Sequence, residues 1–136
     1  MAPPRPSLSA RGTVEYPDLR RSLALAAWCL SDEDFQSRIW TTPTQVPPDA
    51  AFPFGEAISF VLDDMSPDDP SALVGKVLLD ERELAQFQEL SESLSWLIER
   101  IGPVGTFADA SHTPEWEQVR SSARQLHRTL LQSDEP

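Results

Sequence analysis

Four aspartates lie close together between two apolar segments: Asp63, Asp64, Asp68 and Asp69. Several carboxylate oxygens in reach of one another are what a hard cation such as Ca²⁺ requires. A calcium loop of the EF-hand type also needs acids at alternating positions, a central glycine and a closing glutamate, whereas this run contains two prolines. The spacing therefore favours a solvated acidic turn, and we expect no bound metal and no cofactor.

The two histidines, His112 and His127, are the other candidates for chemistry. A histidine that acts as a general base lies near a nucleophile or an orienting carboxylate. Ser111 and Asp109 are close to His112 along the chain, but closeness within one loop is not the geometry of a catalytic triad. We therefore predict exposed histidines, no catalytic residue and no enzymatic activity.

Cys29 is the only cysteine, which excludes an intramolecular disulfide framework and a zinc site with several thiolates. Its position beside Trp28, near the end of a predicted helix, indicates a buried small side chain. No apolar stretch has the length of a signal peptide core or a membrane span, so we expect a cytoplasmic protein. No phosphate-binding glycine motif is present either, and nucleotide binding has no support.

Carboxylates are concentrated in residues 49–117, where seven aspartates and eight glutamates face one lysine and two arginines. The flanking segments are balanced, so this stretch accounts for the formal net charge of −11. A field of one sign repels nucleic acid and anionic membranes and steers basic surfaces toward it. Arg120, Arg124 and Arg128 recur at helical spacing, and we expect them to pair with the central glutamates. The prediction is a basic protein partner, without nucleic acid or membrane; acidity that serves only solubility is the simpler alternative.

A chain of 136 residues is long enough for one domain with its own core. Residues 1–15 mix proline, serine and arginine without apolar periodicity, so we predict a disordered tail followed by a single domain at residues 16–132. Four prolines between residues 41 and 53 indicate an extended loop.

Capping residues and apolar spacing predict four helices, two before this loop and two near the end of the chain. Their predicted extents are residues 16–31, 31–40, 80–101 and 113–130. Between the pairs, the β-branched and aromatic segments 57–62 and 73–79 predict a β-hairpin with an acidic tip. The expected fold is therefore α+β, with an all-α fold as the alternative if residues 57–65 are helical.

Aromatic side chains outside the predicted apolar faces of the helices are candidates for binding a partner. Aromatic residues bordered by carboxylates suit the docking of a basic surface. The predicted partner-binding residues are Asp63, Asp64, Asp68, Asp69, Glu81, Glu83, Trp40, Phe52 and Phe54. Glu89 and Glu92, on the outer side of the third predicted helix, are expected to add to the attraction.

Short motifs along residues 16–130 resemble those of a family of uncharacterised small acidic actinobacterial proteins. They are Tyr16-Pro17, Arg20-Arg21, Arg38-Ile39-Trp40, Asp63-Asp64, Asp69-Pro70, Val74-Gly75, the segment 97–102, and Trp116 with Val119. At the level of its pattern, with an opening helix, an acidic middle and a terminal helix pair, the chain is also similar to the immunity proteins of bacterial contact-dependent toxin systems.

Together these observations predict a non-enzymatic, acidic protein-binding module. Its most concrete form is an immunity-type protein that blocks a basic toxin. Two alternatives belong to other functional classes. One is a small metal- or ligand-binding enzyme that uses the Asp63–Asp69 loop, or His112, in a pocket beneath the hairpin. The other is a homodimeric structural protein joined through the edge of the hairpin.

Overall fold

A computed structural model of the chain describes residues 14–40, 52–65, 70–102 and 105–134. The α-helices in these ranges are α1 (Pro17–Ser31), α2 (Glu33–Phe35), α3 (Phe54–Ser59), α4 (Glu81–Ile101), α5 (Phe107–Ala110) and α6 (Pro114–Asp134). A π-helical turn, Gln36–Trp40, continues α2; a second, Phe60–Asp64, continues α3; and a 3₁₀ turn forms at Pro70–Leu73. Residues 1–13 of the predicted tail, residues 41–51 of the proline-rich loop, and Asp68 and Asp69 lie outside the described residues.

The prediction of an α+β fold is wrong, because the described residues contain helices and no strand. Segment 57–62, the first predicted strand, belongs to α3 and its π-helical turn. Ala57, Val61 and Met65 are all buried and recur every four residues. The same short run therefore has an alternating pattern and a helical face, and the helical face is the one that packs. The observed class is the all-α alternative.

Segment 73–79, the second predicted strand, is a compact turn. Gly75 takes the left-handed backbone conformation with φ of 92°, and its N–H donates to the Leu78 carbonyl at 2.7 Å. This turn buries the side chains of Leu73, Val77 and Leu78. An isolated bridge between Val74 and Leu78 is the one β-type contact among the described residues. The hairpin edge predicted for a homodimer is therefore missing from the described part of the chain.

The ends of the long helices follow from local capping. The Asp80 carboxylate accepts the Glu83 N–H at 3.0 Å, which starts α4, and Gly102, with φ of 88°, ends it. The Thr113 hydroxyl accepts the Trp116 N–H at 3.2 Å at the start of α6. Helix α2 is capped by Asp32, whose carboxylate accepts the Phe35 N–H at 2.9 Å, so it begins two residues after the predicted start at residue 31.

Helix α6 lies between α1 and α4 and runs antiparallel to both. Ser93 faces Ser122 with 3.4 Å between their hydroxyl oxygens, and Arg100 pairs with Glu115, which sets the direction of α4 against α6. On the other side, Arg124 donates to the Ser31 carbonyl at 3.4 Å and Arg120 pairs with Glu33. Helices α1 and α4 are therefore parallel to each other, with their first turns at one end of the molecule and their last turns at the other.

The core forms where the apolar faces of these three helices meet, with α3 and its π-helical turn packed against α1 and α4. The predicted faces of α4 and α6 are buried except for Ile101, which is half-buried, while Leu19 of α1 is exposed. Fully buried leucines of the three long helices are Leu23, Leu30, Leu90, Leu94, Leu97, Leu126 and Leu130. None of the helices in the described ranges has an apolar stretch long enough to cross a bilayer.

Candidate functional site

The outer surface of α4 carries a row of glutamates around an exposed tryptophan. Glu81, Glu89, Glu92, Trp96 and Glu99 are all exposed and recur at intervals of three, four or eight residues, so they share one side of the helix. We call these five residues the acidic face. From Glu81 to Glu99 they extend along about 27 Å of helix, at 1.5 Å per residue.

The acidic face has a real excess of negative charge. Among the residues that the structure describes, none of its four carboxylates forms an ion pair. Arg100, one residue beyond Glu99, is bound by Glu115 across the helix pair, with Nε–Oε1 and Nη2–Oε2 distances of 3.1 and 3.3 Å. These hydrogen bonds from Arg100 hold the pKa of the Glu115 carboxyl below its usual range. Helix α4 contains two cations, Arg82 and Arg100. Because Arg100 is paired with Glu115, only Arg82 remains to balance the four glutamates of the acidic face.

Trp96 is the most exposed large hydrophobic side chain in the described residues, at 50% of its full accessible area. Beside it lies a shallow depression of about 480 Å³, bordered by Trp96, Glu99, Arg100 and Glu115. Sequence reasoning missed Trp96 because aromatic residues within an amphipathic helix usually belong to the core. The available signal was its phase: Trp96 follows Glu92 by four residues and precedes Glu99 by three, and so shares the polar side of the helix.

The predicted acidic residues are divided among several environments. Asp63 is exposed in the π-helical turn after α3, and Asp64 ends that turn, with a side chain outside the described set. Asp68 and Asp69 fall outside the described residues altogether. Of the two glutamates predicted in the first turn of α4, only Glu81 is on the surface.

Glu83 is buried in the interior, where it pairs with Arg20 of α1. The Arg20 guanidinium donates to both carboxylate oxygens, at 2.7 and 2.8 Å, and also to the Val77 carbonyl at 2.9 Å. The Leu79 N–H donates to Glu83 Oε1 at 2.8 Å. Side-chain exposure is 4% for Arg20 and 0% for Glu83. Glu83 therefore joins α1 to α4 and is not accessible to a partner, contrary to the role predicted for it.

The predicted aromatic anchors lie at the opposite end of the molecule, near the last turns of α1 and α4. Trp40, Phe54 and Phe107 contact one another edge to face, with ring centroids 5.4, 5.7 and 5.8 Å apart. Trp116 is buried against all three. The ring of Phe52 packs against that of Phe60 at a tilt of 42°, with 5.3 Å between the ring centroids, and the Phe52 carbonyl accepts the Trp40 indole N–H at 3.0 Å. All three predicted anchors are half-buried, so they are less accessible than Trp96.

The rings of Trp40, Phe54 and Phe107 border a concave pocket of about 620 Å³, which we call the aromatic pocket. Its lining residues are Trp40, Phe54, Gly55, Gly105, Thr106, Phe107, Ala108, Ser111 and His112. The Thr106 hydroxyl and N–H both donate to Asp109 in a capping box at the start of α5. The Ser111 hydroxyl donates to the Ala108 carbonyl at 3.3 Å. The pocket therefore has aromatic walls and a rim whose hydroxyl groups are bonded within the protein.

In the described residues, Asp109, Ser111 and His112 do not form one hydrogen-bonded set. Asp109 and Ser111 are bonded to Thr106 and Ala108, not to His112. Burial raises the pKa of the Cys29 thiol, which disfavours a reactive thiolate. The described residues contain no group of three or more histidine, cysteine or carboxylate side chains that could hold a metal ion.

The arginine stripe of α6 is committed in part to neighbouring groups. Arg120 pairs with Glu117 and with Glu33 of α2, and Arg124 bonds the Ser31 carbonyl. Only Glu117 belongs to the central acidic stretch with which the sequence predicted pairing. At least two of the three arginines therefore hold α6 or its neighbours in place.

A family model described as a domain of unknown function, DUF7945, matches residues 14–136. The chain belongs to the DUF7945 family. This confirms the predicted resemblance to a family of uncharacterised proteins. The acidic face and the aromatic pocket both lie within the residues that match DUF7945. Comparisons with curated proteins and with solved structures found no match.

Proposed function

We propose that this DUF7945 protein is a non-enzymatic binding module and that a basic protein partner docks on the acidic face around Trp96. The observation that carries the proposal is the half-exposed indole of Trp96 in a row of unpaired glutamates on a rigid helix. A central aromatic side chain that is desolvated on binding, surrounded by polar groups, is the usual composition of an interface hot spot.

The negative charge of the acidic face supports a partner with a positively charged surface. Glu89 and Glu92 lie one helical turn apart, and like charges at this spacing destabilise a helix slightly. The whole chain carries a formal net charge of −11, so the long-range field also attracts cations. Lysine and arginine side chains placed opposite the row would relieve this repulsion and speed association at low ionic strength.

The proposal gives Trp96 and the glutamates separate roles. Burial of the indole contributes affinity and slows dissociation, because apolar area is removed from water at the centre of the contact. The glutamates at its rim mainly set the association rate and its dependence on salt. The two roles can therefore be separated by kinetics.

A more specific form of the proposal is an immunity-type role, in which the partner is a cationic toxin blocked in the cytoplasm of an actinobacterial cell. It rests on the resemblance of the sequence pattern to immunity proteins and on the charge of the acidic face. A homodimer through this face is disfavoured, because two copies would bring like charges together.

The test begins with affinity capture from a lysate of the source organism at low salt, followed by titration of the purified partner by surface plasmon resonance. Trp96→Ala is expected to weaken binding about 10- to 100-fold through a faster dissociation rate. The triple variant Glu89→Gln/Glu92→Gln/Glu99→Gln is expected to lower the association rate at low salt and to flatten its salt dependence.

Matched controls remove an aromatic ring or three charges elsewhere on the surface. Tyr16 is 45% exposed, so Tyr16→Ala controls for loss of an exposed ring. Glu15→Gln/Glu56→Gln/Asp63→Asn makes the same change in net charge at exposed acids outside the acidic face. The proposal fails if no basic protein is captured, or if the controls weaken binding as much as the variants of the acidic face do.

A further inference from the structure

The aromatic pocket has the walls of a small-molecule site. Its volume of about 620 Å³ is within the range of roughly 300–1,000 Å³ typical of ligand pockets. Trp40, Phe54 and Phe107 present aromatic surface set at steep angles, with ring planes 64–73° apart. Rings at such angles offer both faces and edges to an aromatic ligand, the arrangement that aromatic pairs prefer.

Few polar groups of this pocket are left to bind a ligand. The indole N–H of Trp40 and the hydroxyls of Thr106 and Ser111 all donate within the protein. Among the described residues, His112 forms no hydrogen bond, and its side chain is exposed at the rim. The imidazole is therefore the side chain best placed to form one hydrogen bond with an occupant.

The charges around the pocket select against an anionic occupant. Among the described residues, no lysine, arginine or carboxylate side chain lines it. Glu56 and Asp109, next in sequence to the lining residues Gly55 and Ala108, would repel an anion. Asp109 already accepts two hydrogen bonds from Thr106, and a bound cation would have no ion-pair partner among the described lining residues.

We propose that the aromatic pocket binds a small neutral ring compound with one hydrogen-bonding group, the chemistry of an indole or a phenol. The ring contacts Trp40, Phe54 and Phe107, and its polar group bonds His112. This site is separate from the acidic face in residues and in chemistry. If the aromatic pocket does not bind such a compound, the proposed protein-binding function is therefore unaffected.

The test is titration of the full ¹⁵N-labelled chain with indole, followed by NMR. We expect saturable shifts of the Gly55, Gly105 and Phe107 amides, with a Kd of about 1 mM or tighter. Shifts that rise without saturation, or that are confined to residues outside the pocket, would overturn the proposal. Indole-3-carboxylate, the anionic counterpart, should bind at least tenfold more weakly, and equal binding would contradict a neutral site.

Gly55→Leu tests whether indole occupies this pocket. A Cβ at Gly55 meets no atom within 4 Å, and the position is helical, so the variant should fold with an unchanged or higher Tm. The added side chain lies in open space at the pocket wall and should weaken indole binding at least tenfold. Ala85→Leu, at an exposed position on α4, adds bulk away from the pocket and should leave binding unchanged. Equal affinities in the two variants would refute the site.

His112→Ala tests the hydrogen bond. The wild-type protein should prefer indole to 1-methylindole, which has lost the N–H donor, and His112→Ala should remove that preference while retaining the ring contacts. A preference that survives in the variant, or no preference in the wild type, would show that His112 does not bind the ligand as proposed.

Discussion

Arginine–glutamate pairs join the long helices at both ends of this molecule, but in opposite environments. At the first turns of α1 and α4, the Arg20–Glu83 pair is buried and bonds two backbone groups as well. At the last turn of α4, the Arg100–Glu115 pair lies at the surface, with side-chain exposures of 53% and 25%. Beside this second pair, the helices meet around aromatic rings that border an open pocket.

The difference accounts for one closed, hydrogen-bonded end and one end with an open cavity. A buried ion pair requires every polar group around it to be bonded, so the surrounding turns are held in one arrangement. Aromatic rings pack without such demands and can leave a cavity bordered by apolar surface. The end closed by Arg20 and Glu83 is therefore the structural one, and the aromatic end has the space to bind a ligand.

The largest effect is expected when the buried pair is broken. Glu83→Gln leaves the Arg20 guanidinium in the interior without its counter-charge, which typically costs about 3–5 kcal/mol of unfolding free energy. Urea denaturation at neutral pH measures this loss. The matched control is Glu81→Gln, an exposed acid in the same helical turn, which should cost at most about 1 kcal/mol.

Removal of both charges of this pair tests whether the lone buried charge causes the loss of stability. Arg20→Met/Glu83→Leu avoids a lone buried charge but leaves the Val77 carbonyl and Leu79 N–H without their partners. We therefore expect the double variant to regain part of the stability lost in Glu83→Gln. If the single and double variants were equally unstable, the charge itself would not be the cause.

A smaller effect distinguishes two glycines that line the aromatic pocket. A Cβ at Gly105 would lie 2.6–2.9 Å from three side-chain atoms of Ile101, whereas one at Gly55 meets nothing within 4 Å. Gly105→Ala should lower the unfolding free energy by about 1–3 kcal/mol through overpacking. Gly55→Ala should raise it by about 0.5–1 kcal/mol, because alanine favours the helix. Thermal or urea unfolding of the two variants measures both changes in the unfolding free energy. Changes of the same sign in both variants would contradict this description of the pocket.

The elements that were predictable from sequence are those with caps and long apolar faces. Pro17, Asp80 and Gly102 mark ends of α1 and α4 through local backbone chemistry, which needs no knowledge of tertiary contacts. The prediction for segment 57–62 failed because a run of six residues, five of them apolar, satisfies a strand pattern and a helix pattern at once. Tertiary packing decides between them, since Ala57, Val61 and Met65 meet the core as a helix.

Tertiary contacts also decide where the predicted site residues lie. Glu83 and Glu81 are both acids in the first turn of α4, and only the proximity of Arg20, 63 residues earlier in the chain, identifies Glu83 as interior. Trp40 and Phe54 stand outside the predicted apolar faces, yet they contact Phe107 and Trp116 from other segments. Long-range contacts of this kind leave no periodic signal in the sequence.

The smallest expected effect concerns the exposed pair at the aromatic end. Hydrogen bonds from Arg100 lower the folded-state pKa of Glu115 relative to its usual value of about 4.3. The stability that the pair contributes is therefore present above the unfolded-state pKa and is lost as the pH falls through the folded-state pKa. Glu115→Gln should remove this pH-dependent contribution while leaving the core intact. Unfolding curves of wild type and variant should differ at pH 6 and converge toward pH 2–3, and high salt should narrow the gap because the pair is exposed. A difference that persists at low pH would mean that Glu115 acts through packing and not through its charge.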